Sequence, residues 1–140
     1  HSWDTSRFTD GVYILKVVAS DRISNPSDPL SAEAVSEPVT VSNKSPRMFA
    51  FKKTLTIGAD KTARIEGCAY GDLVGIAGVQ FRVGTGDWAA AASGDGMFGG
   101  KFENFVLTSE PLGSGEHTLE IKAIDEAGNG TSVKVPIKVE

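Results

Sequence analysis

Five acidic and amide side chains gather around two corresponding turns of this sequence. They are Asp21, Asn25 and Asp28 in "SDRISNPSD", and Asp125 and Asn129 in "IDEAGN", where Glu126 follows the aspartate. Hard oxygen ligands of this kind suit calcium, which takes about six to eight oxygens converging on one loop. The first loop supplies at most three side chains, and the D-x-[DN]-x-[DN]-G spacing is absent. Asx residues also close turns by accepting their own backbone N–H groups, and Asn tolerates left-handed conformations. The five residues are therefore the calcium candidates, but metal-free turn formation is the preferred reading and no cofactor is expected.

Other chemistry finds less support. Nucleophilic catalysis needs an oriented base, and the only histidines are His1 at the terminus and His117 within an alternating apolar stretch. G-x-S-x-G, H-E-x-x-H and paired Cys/His spacings are missing, and the carboxylates are scattered, so no catalytic residue is expected. Cys68 alone cannot form an internal disulfide, and no basic cluster lies near it to activate its thiol. Alternation along "TARIEGCAYG" puts Ala63, Ile65 and Gly67 on one face and Arg64, Glu66 and Cys68 on the other. An aromatic face can carry a sugar ring, which makes Trp88, Phe98 and Trp3 the candidate sugar platform. A tryptophan just after a hairpin turn is more often packed against the sheet edge.

The elements that would position these residues announce themselves as a repeat. "DGVYILKVVASDRISN" from Asp10 and "SGEHTLEIKAIDEAGN" from Ser114 align so that Gly11, Tyr13, Leu15, Val17, Ala19, Asp21 and Asn25 meet Gly115, His117, Leu119, Ile121, Ala123, Asp125 and Asn129. Further on, "VSEPVTV" from Val35 meets "VKVPIKV" from Val133, after six extra residues within "PSDPLSAEA". Surface loops absorb such insertions at small entropic cost. Each copy is strand, loop, strand, with the period of two that marks half-buried strands. The second copy has a charged outer face of Glu116, Thr118, Glu120 and Lys122. In the first copy the expected inner face is Tyr13, Leu15, Val17 and Ala19, and the outer one carries the apolar Val12, Ile14 and Val18 around Lys16. Pro38 and Pro136 suggest that both final strands lie at an edge or bulge.

After the linker "SNKSPR", strands are predicted at 48–57, 62–69, 76–83, 87–92, 102–107, 116–124 and 132–139, separated by turns such as "GADK", "GTGD" and "LGSGE". The fold class that follows is all-β: a seven-stranded antiparallel sandwich at 44–140, preceded at 1–43 by the last two or three strands of a second, incomplete sandwich. At 140 residues, two full sandwiches do not fit.

The penultimate-strand phrases, the "D-x-x-G-N" exit turn and the hairpin "IAGVQFRVGTGDWAAA" together resemble bacterial immunoglobulin-like and fibronectin type III repeats. That resemblance implies the sandwich fold, an extracellular, cell-surface or periplasmic location, and a non-catalytic role as spacer, assembly or protein-interaction module of a larger bacterial protein. It implies that Tyr13 ties its strand to the preceding turn. His117 departs from this tyrosine, although a histidine there can bond a backbone carbonyl. The alternatives it leaves are a carbohydrate-binding accessory module of a polysaccharide-degrading enzyme and a calcium-stabilised adhesion module.

Bulk properties narrow the partners. A formal charge of -4 without runs of Lys or Arg does not suit nucleic acid or an anionic membrane surface. No apolar run reaches the roughly 18–20 residues that span a bilayer, and His1 opens into polar sequence without a leader pattern, so an excised or processed piece is expected. Unpaired strand edges and the Val12, Ile14, Val18 face predict self-association of residues 1–43 as a homodimer. Folding of residues 1–43 back onto the same chain is the competing arrangement.

Overall fold

The computed structural model describes residues 2–51 and 55–140, and they fall into two compact units, 1–43 and 44–140. The described residues are all-β apart from a single 3-10 turn, Thr5–Arg7, capped by the Asp4 carboxylate, which accepts the Ser6 N–H at 3.0 Å. That hydrogen bonding, first from the Ser6 hydroxyl and then from its N–H, holds the Asp4 carboxyl below its ordinary pKa.

The first unit is a long hairpin built from β1 (Gly11–Tyr13), β2 (Lys16–Ser20), β3 (Ser31–Val35) and β4 (Val39–Val41). β1 pairs with β4 and β2 with β3, both antiparallel. The two ladders are out of step. Tyr13 faces Val39 but Lys16 faces Val35, so the returning strand holds one extra residue. Ser36 fills the gap: its N–H donates to the Leu15 carbonyl at 2.8 Å, and its hydroxyl accepts the Leu15 N–H at 2.9 Å while donating to the Glu37 carbonyl at 2.7 Å. Pro38, which has no N–H for a ladder, sits in this bulge.

At the base of the hairpin Trp3, Phe8 and Tyr13 meet edge to face, with centroids 5.0 to 5.8 Å apart. The Tyr13 hydroxyl donates to the Thr9 carbonyl at 2.6 Å, and the Asn43 amide donates to the carbonyls of Thr5 and Phe8.

The second unit holds two antiparallel sheets. One joins β10 (Ala92–Ser93), β11 (Phe102–Thr108), β7 (Ala63–Tyr70) and β5 (Arg47–Ala50), with β6 (Thr56–Ile57) also on β7. The other runs β13 (Gly130–Val139), β12 (Gly115–Asp125), β8 (Ile76–Val83) and β9 (Ala89–Ala90). Period-two alternation turns one side of each strand inward: Ala63, Ile65 and Ala69 of β7, Phe105 and Leu107 of β11, Val79 and Phe81 of β8, Leu119, Ile121 and Ala123 of β12, and Val135 and Ile137 of β13 form one buried core. Gly67, at the middle of β7, leaves room for the Phe105 ring.

Two predicted strands change form. The 48–57 segment is divided between β5 and β6, both on β7, and its residues 52–54 lie outside the described ones. The 87–92 segment becomes two two-residue strands on different sheets: β9 pairs with β8, and β10 with β11. Between them Ala91 is buried and donates its N–H to the Val79 carbonyl at 2.9 Å. β13, which carries Pro136, Lys134 and Lys138, stands at the edge of its sheet.

Candidate functional site

The repeat seen in the sequence recurs in local geometry. Tyr13 bonds the carbonyl of the residue four before it, Thr9, and His117 Nε2 lies 2.7 Å from the carbonyl oxygen of Gly113, also four before. With the proton on Nε2 the imidazole donates this bond, which engages the ring as a turn tether.

The calcium candidates serve as turn formers. Asp125 is buried, and its Oδ1 accepts the N–H groups of Ala127 at 3.0 Å and Asn129 at 2.8 Å, while Oδ2 accepts the Asn129 amide at 3.0 Å. In the first unit the Asp21 carboxylate accepts the Leu30 N–H at 2.7 Å, and the Asn25 amide donates to the Asp28 carbonyl at 2.6 Å. Asp21, Asn25, Asp125 and Asn129 thus make Asx turns and loop closures with their side chains, Asp28 takes part through its backbone carbonyl, and among the described residues no group of three His, Cys, Asp or Glu side chains is arranged for a metal. Asp125→Ala removes the acceptor of the Ala127 and Asn129 N–H groups and of the Asn129 side-chain amide, which is expected to cost about 2 kcal/mol. Urea unfolding checks this, and the midpoint of the parent protein is expected to be the same in calcium and in a chelator.

The proposed aromatic platform is dispersed. Trp3 belongs to the ring cluster of the first unit. Phe98 packs against the core of the second, and Trp88 lies under the Arg82 guanidinium, whose carbon is 4.6 Å from the ring centroid. Arg82 in turn pairs with Glu120 at 2.7 Å. The outer face of that sheet is polar, with Gln80, Arg82, Glu120 and Lys122 on paired positions.

A different aromatic group occupies the outer face of the five-stranded sheet. The cross-strand rows there are Arg47, Tyr70 and Phe102, then Phe49, Cys68 and Asn104. Phe49, Tyr70 and Phe102 are 60%, 40% and 59% exposed. Beside them is a shallow cavity of about 500 Å³ whose lining includes Phe51, Glu66, Asp95, Phe102 and Asn104. The Ser93 hydroxyl and the Met97 N–H bond Asp95 and hold its carboxyl below the usual range. Cys68, half-buried among these side chains, has its thiol pKa raised by burial. Sequence reasoning passed these rings over. Their only local signal is the alternation of Phe49 and Phe51 with Met48 and Ala50, since strand adjacency brings Tyr70 and Phe102 in from distant segments.

The face expected to drive self-association is exposed, with Val12 at 65%, Ile14 at 65% and Val18 at 61%. The expectation that Val17 lies on a covered inner face fails, because Val17 is 66% exposed and both strands β2 and β3 are exposed throughout. The hairpin is therefore open on both sides. Its faces differ in charge: the Val18 side carries the Lys16–Glu33 ion pair at 2.6 Å, whereas Val17 and Ala19 face Ala34 and Ala32.

No protein-family model matches the chain, and no curated protein matches it. Among solved structures it is similar to part of the sulfane dehydrogenase SoxCD from Paracoccus pantotrophus, at 20% identity over 62% of this chain and 23% of that one, with a TM-score of 0.48. The chain thus spans less than a quarter of the length of that protein.

Proposed function

We propose that this chain is a non-catalytic β-sandwich module that spaces or assembles parts of a larger extracellular bacterial protein, and that it self-associates through residues 1–43. The observation that carries this reading is the hairpin of the first unit, whose strands β2 and β3 are exposed on both faces and, among the described residues, pair only with each other. An isolated two-stranded hairpin is marginal in water, so a ribbon with Val12, Ile14, Val17 and Val18 uncovered gains stability by adding strands or a covering layer. A second copy supplies both, with two-fold symmetry. The engagement of His117 with Gly113 and the raised thiol of Cys68 support a module without a nucleophile or base.

Light scattering over a concentration series tests the proposal. A dimer mass at high micromolar concentration is expected, returning to the monomer mass in Val12→Lys/Val18→Lys. A parent protein that stays monomeric throughout the series would overturn it.

A further inference from the structure

We infer that the free edge of β2 takes the β2 strand of a second copy, antiparallel and with Val18 on the two-fold axis, to give a continuous four-stranded sheet. The inference rests on the self-association proposed above and names its edge and register. The internal repeat supplies the precedent. β12, the counterpart of β2, carries β13 on one side and β8 on the other, both antiparallel. Its Asp125 N–H donates to the Asn129 carbonyl at 3.0 Å on the β13 side, whereas the Thr118 carbonyl accepts the Gly84 N–H at 2.8 Å on the β8 side. β2 keeps the same phase: the Asp21 N–H donates to the Leu30 carbonyl at 3.2 Å, and the Leu15 carbonyl accepts the Ser36 N–H at 2.8 Å. Residues alternate along an antiparallel ladder, so Val17 and Ala19 turn their backbone groups to β3, while Lys16, Val18 and Ser20 turn theirs to the other side. Among the described residues no strand pairs there.

Charge and size select the occupant. On β12, Glu120 meets Arg82 of β8 and Lys122 meets Gln80. The corresponding residues of β2 are Lys16 and Val18, so a strand of the β8 kind would set its arginine against a lysine and its amide against a valine. Lys16 already pairs with Glu33 at 2.6 Å, so the neighbour it accepts is neutral. A second β2 meets both conditions. With Val18 opposite Val18, Lys16 meets Ser20, Val17 meets Ala19, and the two lysines stand about 13 Å apart along the sheet. Centring on Val17 instead brings the two lysines into a diagonal contact of like charge. The edge of β3 suits a second copy less, because Glu33 at its middle would face its own copy, and the counterpart strand β13 stands at a sheet edge. The pairs Lys16–Ser20, Val18–Val18 and Ser20–Lys16 exchange about six backbone hydrogen bonds, and the marginal two-stranded ribbon becomes a sheet.

Cysteine cross-linking of the full chain in a Cys68→Ser background tests the inference. Under mild copper oxidation at high micromolar concentration, Val18→Cys should link two chains about tenfold or more faster than Glu33→Cys or Val17→Cys. The Cα atoms of a hydrogen-bonded pair lie about 5.5 Å apart, within the roughly 4.4–6.8 Å that a disulfide spans. The two Glu33 positions are about 14 Å apart across the sheet, and the two Val17 positions are diagonal, about 7–8 Å apart. The substituted positions are exposed, so the hairpin tolerates all three. In the parent protein the N–H groups of Lys16, Val18 and Ser20 should exchange with deuterium about tenfold or more slowly at high micromolar concentration than when dilute. A dimer mass by light scattering overturns the inference and leaves the association standing if Glu33→Cys or Val17→Cys links as fast as Val18→Cys, or if exchange at those N–H groups is unchanged. The same holds if no variant links, as ribbons stacked face to face about 10 Å apart would behave. A monomer mass for the parent protein throughout the series overturns both.

Discussion

Replacing Gly67 by alanine is expected to destabilise the second unit by about 3 kcal/mol or more, a drop in melting temperature of more than about 10 °C for a domain of this size. Gly67 sits mid-strand in β7 with β5 on one side and β11 on the other. An added Cβ there would overlap the Phe105 ring and come within 2.5 Å of the Phe49 carbonyl oxygen. The ring could tilt away at some cost, but the carbonyl belongs to the neighbouring strand and moves only if the ladder moves. Thermal unfolding followed by circular dichroism checks the expectation, and an alanine variant that melts with the parent would refute it.

Removing the ring from the other side should be nearly as damaging. Phe105 is the largest of the fully buried side chains, at 1% exposure, and lies over Gly67 between the two sheets. Phe105→Ala is expected to cost about 3–5 kcal/mol, since the lost contacts and the cavity both count. The two sites share one space, so their effects should not add. Gly67→Ala placed in a Phe105→Leu background should cost less than it does alone, with the Phe49 carbonyl clash setting the remainder. Urea denaturation of the two single variants and the double variant measures that coupling, and strict additivity would mean that the ring and the missing side chain do not compete for the same volume.

Much of the fold was legible because burial on one side of a sheet enforces a period of two. β7, β12 and β13 each show it over at least eight residues, and the inward positions Leu119, Ile121 and Ala123 are buried as the alternation predicts. The places where reading failed are those where alternation breaks or adjacency matters. The bulge at Ser36 depends on a hydroxyl answering the N–H of Leu15, a bond between residues 21 apart in sequence. The division of 87–92 into two strands turns on Ala91, whose small side chain carries no pattern of its own. The aromatic group of Phe49, Tyr70 and Phe102, spread over two adjacent cross-strand rows, exists only once β5, β7 and β11 are known to be neighbours. Trp88 and Trp3 are more conspicuous by residue type, yet their rings are engaged by Arg82 and by Phe8 and Tyr13.

The single-residue passage of the chain from β9 to β10 joins the two layers covalently as well as by packing. Ala91 holds the Val79 carbonyl of one sheet, and two residues later Ser93 is already opposite Phe105 of the other. Neither layer can slide along the other without breaking that link. Shear between the sheets therefore meets a rivet, and the alignment of one layer is inherited by its neighbour as the chain folds.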